Sequence, residues 1–185
     1  MHKYHRLPLS ALLSGAILCF TLTANAAEPA ASPVDRLNDW LGTWKFDSTK
    51  LDTKYSHAGT ETGETTCAWQ SSHGYMICES VGDDIDPAQG IKPDNLSIFY
   101  YMTADKTLRH TFMEHDDGGT MLGTTTIDGN TWTVISQIPR RSGGTADLRD
   151  TYVFVTPAKR TMKTEISIDN GAHWTEISHT VLTKV

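Results

Sequence analysis

Residues 96–138 read LSIFYYMTADKTLRHTFMEHDDGGTMLGTTTIDGNTWTVISQI. Four runs in this stretch alternate with period two. Leu96, Ile98, Tyr100 and Met102 share one face, as do Leu108, His110, Phe112 and Glu114. Met121, Gly123, Thr125 and Ile127 form the third set, and Trp132, Val134, Ser136 and Ile138 the fourth. A period of two places successive side chains on opposite faces of a strand. Asp117-Gly118-Gly119 and Asp128-Gly129-Asn130 punctuate the runs as tight turns, which join antiparallel neighbours. The pattern continues on both sides. Upstream, Trp44 and Phe46 alternate with Lys45 and Asp47. Downstream come Leu148, Asp150, Tyr152 and Phe154, then Met162, Thr164, Ile166 and Ile168, then Ile177, His179, Val181 and Thr183. Ser142-Gly143-Gly144 and Asp169-Asn170-Gly171 supply further turns. The count is nine or ten strands, each with an apolar and a polar face. That predicts an all-β fold: an antiparallel sheet closed on itself with its apolar face inward, leaving no exposed edge. A two-sheet sandwich is the rival architecture. Helical folds are excluded after residue 42 because no 3.6-residue period survives there.

The 185 residues suit one domain, and 38% hydrophobic content is enough to bury a core. Lys and Arg number 16 against 22 Asp and Glu, a net charge of −6. Nucleic-acid and basic membrane-surface functions need clustered positive charge and are disfavoured. The expected partner is a small molecule, with the chain a monomer or weak homodimer.

Residues 1–26, MHKYHRLPLSALLSGAILCFTLTANA, open with Lys3 and Arg6, continue apolar from Leu9 to Leu22 and end on Ala24-Asn25-Ala26. This is the pattern of a secretory signal peptide cleaved near Ala26, for a periplasmic or secreted product. An uncleaved anchor is the alternative, but the apolar run is 14 residues, short of the roughly 20 that span a bilayer. Residues 27–32 read as a flexible leader and 33–185 as the barrel domain. Ser32-Pro33 is a helix start, with Val34, Leu37, Trp40 and Leu41 at helical spacing, so a short helix is expected from Pro33 to Leu41, ended by Gly42.

Export bears on Cys67 and Cys78, in TTCAWQSSHGYMICES. If Ser71-Ser72-His73-Gly74 is the hairpin loop, Trp69 faces Met76, Ala68 faces Ile77 and Cys67 faces Cys78. Opposed residues are close enough for a disulfide in an oxidising compartment. Two free buried thiols or a metal pair are the alternatives, and only His73 is near as a further ligand.

Leu41-Gly42-Thr43-Trp44 after a short helix resembles the GxW opening of lipocalin-like (calycin) barrels, in which the Trp plugs one end. The fuller pattern resembles DUF1579, a family of often exported bacterial proteins. The matching points are LGTW at 41–44, GNTWT at 129–133 and SIDNGAHWTEISHTVLTKV at 167–185. The Cys67/Cys78 pair looks like an addition to that pattern. The resemblance implies a barrel that holds a small, mainly apolar ligand, and it transfers no catalytic residue. Nitrobindin-like barrels also resemble this chain in the GxW opening. They bind haem through a His near the C-terminus, a role that would fall to His179.

Polar residues that share parity with apolar neighbours are the candidate ligand-binding set: His110, Glu114, Asp150 and His179, with Trp69, Tyr100 and Tyr152 as possible lining aromatics. Groups of this kind inside a barrel must be paired or hydrated, and a mixed apolar pocket with a few convergent polar groups is what a ligand site needs. Each is also readable as a satisfied structural residue, and the barrel as filled. Enzyme signatures are absent: no phosphate loop, no G-x-S-x-G and no H-E-x-x-H. An acid–base pair of His110 or His179 with Glu114 or Asp150 is the enzymatic alternative. Asp83-Asp84-Ile85-Asp86 lacks a calcium-loop register and reads as a solvated loop. Arg140-Arg141 reads as an exposed loop, with an anion contact at the barrel mouth as its other reading. Finally, residues 167–174 fit S-x-D-x-G-x-x-W, the Asp-box hairpin of sialidase-like propellers, with an echo 41 residues earlier at Thr126. Two copies are too few for a propeller, so both read as turn devices.

Overall fold

The computed structural model describes residues 33–70, 74–85, 90–114, 119–140 and 143–185. The stretches expected to be a signal peptide and leader, the expected hairpin-loop residues 71–73, Asp86, the expected turn at 117–118 and Arg141 lie outside the described residues. The helix expected from Pro33 to Leu41 is an α-helical turn, α1 (Pro33–Arg36), that tightens into a 3₁₀ turn at Leu37–Trp40. Leu37 and Trp40 point into the core. Gly42 makes the exit at φ 100, a conformation that disfavours any side chain.

Ten strands follow: β1 (Gly42–Lys50), β2 (Gly59–Trp69), β3 (Tyr75–Gly82), β4 (Asp94–Met102), β5 (Thr107–Glu114), β6 (Thr120–Asp128), β7 (Thr131–Pro139), β8 (Thr145–Thr156), β9 (Lys159–Ser167) and β10 (Thr175–Lys184). Each pairs antiparallel with its sequence neighbour, and β1 closes the sheet by pairing with β10, Trp44 opposite Lys184 through Lys50 opposite Ser178. This is a lipocalin-like up-and-down barrel. The sandwich alternative is excluded by the continuous ladder. No helix among the described residues is long and apolar enough to cross a membrane.

Cys67 lies opposite Cys78, flanked by Ala68–Ile77 and Trp69–Met76, and the two form a disulfide with Cα atoms 4.0 Å apart. Both cysteines are buried on the inner face. The bridge closes a short loop, with a sequence separation of 11, so its stabilisation belongs at the low end of the usual range, about 2 kcal/mol. Urea unfolding with and without reductant should show a midpoint shift of that size. Coincident midpoints would contradict it.

The register fixes which faces look inward, and two strands differ from expectation. On β4 the inner residues are Asn95, Ser97 and Phe99, which pair with the inner Glu114, Phe112 and His110 of β5. The apolar set Leu96, Ile98 and Tyr100 is therefore on the outside. On β10, Leu182 and Thr180 are inside, opposite Phe46 and Ser48, with the Thr180 hydroxyl donating to Ser48 Oγ at 2.9 Å. His179 and Val181 are outside and exposed. Phe46 in turn needs Gly63 on the neighbouring strand. A Cβ there would stand 2.6 Å from the Phe46 ring and 2.2 Å from the Val81 carbonyl oxygen.

Candidate functional site

The helical segment stoppers the end of the barrel at which β1 begins. Trp40 packs edge-on to Tyr152 at 4.7 Å between ring centroids, with Phe99, Trp132 and Phe154 each within 6 Å. Its carbonyl accepts the indole N–H of Trp44 at 2.9 Å. Arg160 of β9 is fully buried inside this cluster. Its guanidinium carbon lies 3.3 Å from the Trp44 ring centroid, 4.1 Å from that of Trp40 and 4.7 Å from that of Phe154. Nη2 donates to the Asp39 carbonyl at 2.9 Å, while Nε and Nη1 have no hydrogen-bond partner. Aromatic faces substitute for those partners through cation–π attraction. Burial lowers the Arg160 pKa to about 9, against the opposing pull of Tyr152 and Asp39, so the group stays charged at neutral pH.

Above this plug is a cavity of about 290 Å³, near the lower limit for a small-molecule site. Phe46, Phe99, Phe112 and Leu148 give it apolar wall. His110, Glu114, Asp150 and Tyr152, four of the candidate residues, line it. His110 is 6% exposed and stacks on Phe99 at 4.6 Å between centroids. Neither of its ring nitrogens has a hydrogen-bond partner. Burial lowers its pKa to about 4, so it is a neutral imidazole at physiological pH, one nitrogen a donor and the other an acceptor. Asp150 accepts a 2.7 Å hydrogen bond from the Thr164 hydroxyl. Burial raises its pKa to about 6, with Thr164 pulling the other way. Asp150 retains some accessible surface because it borders the cavity, but the protein surrounds it otherwise. The Tyr152 phenol is held above its ordinary value, first by burial and then by the Asp150 charge.

The other candidates are elsewhere. Trp69 sits at the plug end, its indole N–H donating to Asn38 Oδ1 at 2.8 Å. Tyr100 is on the outer face of β4. His179 is also on the outer face, 3.8 Å from Glu176, so a haem inside the barrel would not meet it. Because the His110 nitrogens touch no carboxylate, the acid–base pair considered for His110 is not formed. Of the residues that the sequence reading did not single out, Arg160 and Thr164 matter most. Arg160 shares parity with Met162 and Thr164, and extending that face two residues back would have placed it inside. Among the described residues no cluster of three or more His, Cys, Asp or Glu is arranged to hold a metal ion.

The Ser167–Trp174 motif is a turn device. Ser167 Oγ donates to Asp169 at 2.7 Å, and Asp169 accepts from the His173 backbone N–H at 2.9 Å. Asn170 and Gly171 take the left-handed conformation, φ 57 and 82, and Trp174 packs against the Arg149 guanidinium at 4.1 Å.

No protein-family model and no curated protein matches the chain. Solved structures do. Rv2717c from M. tuberculosis is 10% identical with a TM-score of 0.55, over 83% of this chain and 98% of that one. The S-type phycobiliprotein lyase CPES from Guillardia theta is 15% identical with a TM-score of 0.53, over 84% and 94%. Likeness at these identities is one of fold, and it is shared along nearly the whole length of both neighbours.

Proposed function

We propose that the protein is an exported lipocalin-like carrier that binds one small, mainly apolar molecule inside its barrel. The carrying observation is His110. A buried polar group without a partner costs about 1–3 kcal/mol, and native proteins keep few of them. Here two such nitrogens border a cavity with aromatic walls, where a bound molecule would supply the missing partners. Apolar burial against Phe46, Phe99 and Phe112 would provide affinity, and His110 with Asp150 would orient a polar group. Export rests on the N-terminal segment, and the disulfide is compatible with it. The resemblance to the DUF1579 proteins in LGTW and the C-terminal motif agrees with both.

Native mass spectrometry with an absorbance spectrum, on protein purified without denaturation from the exporting cell, tests this reading. The expected result is a chain cleaved near Ala26, two hydrogens lighter for the disulfide, carrying an added mass. A bare mass, together with no rise in melting temperature from a panel of small apolar molecules, would leave a filled or merely structural barrel.

A further inference from the structure

The charged groups among the described residues that line the cavity are of one sign. Asp150, Glu114 and Glu61 face it, and no Lys or Arg is among the described lining residues. Glu61 is matched at the rim by Lys50 at 3.0 Å. Asp150, deeper in, is held by a neutral hydroxyl, Thr164, rather than by a cation. Two neutral titratable groups complete the wall: the Tyr152 phenol, and His110, an uncharged donor and acceptor with both nitrogens open. The nearby cation, Arg160, is taken up by the aromatic plug and by the Asp39 carbonyl. Phe46, Phe99, Phe112 and Tyr152 present ring faces or edges to the same space.

We propose that the cavity selects a small organic cation with an apolar body, an amine whose ammonium meets Asp150 and whose ring or chain packs on the phenylalanines, and that it rejects carboxylates of the same size. This rests on the carrier reading above and narrows it. A carboxylate ligand would bring a second negative charge beside Asp150 in a poorly solvated space, with no Lys or Arg among the described lining residues to receive it. An ammonium gains the attraction of Asp150 and of the aromatic rings, while His110 accepts one of its N–H donors.

Three indoles of nearly equal size separate the possibilities: tryptamine (cation), tryptophol (neutral) and indole-3-propionate (anion). Calorimetric titration of the full exported chain at neutral pH should rank tryptamine at least tenfold tighter than tryptophol, with indole-3-propionate weakest. In Asp150→Asn, where the amide keeps an oxygen for the Thr164 bond, tryptamine should fall to the level of tryptophol. Tryptophol binding should be unchanged, which also reports that the variant is folded. Glu114→Gln should weaken tryptamine less. Equal or tighter binding of indole-3-propionate, or tryptophol matching tryptamine in the wild type, would overturn the cation proposal and leave the carrier standing. An unaltered tryptamine preference in Asp150→Asn would overturn the role given to Asp150. Failure of all three indoles to bind would overturn the cation proposal, and the carrier reading would fall with it only if the native mass is also bare.

Discussion

Trp40→Ala is expected to lower the unfolding free energy by about 3–5 kcal/mol, the range for deleting a large buried aromatic side chain. Trp40 is 4% exposed, and four aromatic rings and the Arg160 guanidinium converge on it. It precedes the first strand, so these contacts tie the helical segment to the far side of the barrel, on β4, β7 and β8. Removing the indole leaves a void between those strands and takes one aromatic face from a buried cation that has only one hydrogen bond. The loss should therefore be coupled. Arg160→Met fills similar volume without charge and should cost less in the Trp40→Ala background than alone, by about 1 kcal/mol. Urea unfolding of the two single variants and the double variant measures all three quantities. A Trp40→Ala cost under about 1 kcal/mol would mean that the barrel closes independently of its stopper. Because Trp40 also lines the cavity, the same variant should lose ligand capacity even at temperatures where it stays folded.

The fold was legible because turn chemistry and period-two alternation agree over most of the chain. The Cys67–Cys78 register followed from counting outward from one hairpin loop. On β5 through β8, apolar residues and the occasional His, Ser or Asp share the inner face, so parity located His110 and Asp150 correctly. The alternation misleads on β4 for a physical reason. A wall bordering a mixed cavity carries Asn95 and Ser97 inward, while Leu96, Ile98 and Tyr100 cover the outside. Apolar-in holds for a packed layer and fails beside a polar cavity. On β10, Val181 outside and Leu182 inside give no contrast, and only pairing with Phe46 and Ser48 settles the face, sending His179 to solvent. Arg160 was hidden by its type. A cation is not expected in a core, and nothing local announces that Trp40 and Trp44, more than a hundred residues away, will converge on it beside its cross-strand neighbour Phe154.

His110 and Asp150 give the stability of the protein a pH dependence that is concealed in the wild type. Asp150 has its folded pKa raised from 3.8 to about 6, so between those values the folded chain holds a proton that the unfolded chain has lost. Its contribution to stability is greatest at the acid end and is lost as pH rises through about 6. His110 has its folded pKa lowered from 6.5 to about 4, so across that window the unfolded chain takes up a proton that the folded chain refuses. Its neutral burial is fully tolerated above 6.5 and becomes a liability as pH falls toward 4. The slopes have opposite sign and nearly the same window, and they offset one another. Each substitution should uncover the other group. His110→Phe keeps a ring against Phe99 and leaves Asp150 unbalanced, so stability should fall by about 2 kcal/mol as pH rises from 4.5 to 6.5, allowing for the part of Asp150 that borders the cavity. Asp150→Asn leaves His110 unbalanced, and stability should rise by about 2 kcal/mol over the same interval. The carboxylates held low by hydrogen bonds, Asp105, Glu165 and Asp169, begin to titrate in the unfolded chain at the acid end of that range, but they add the same slope to the wild type and both variants, so differences between the curves by urea unfolding read His110 and Asp150. Parallel curves for the two variants would mean that neither group is buried as the barrel places it. Curves that cross, with the wild type nearly level between them, would locate both groups in one poorly solvated interior, the condition on which a charge-selective cavity depends.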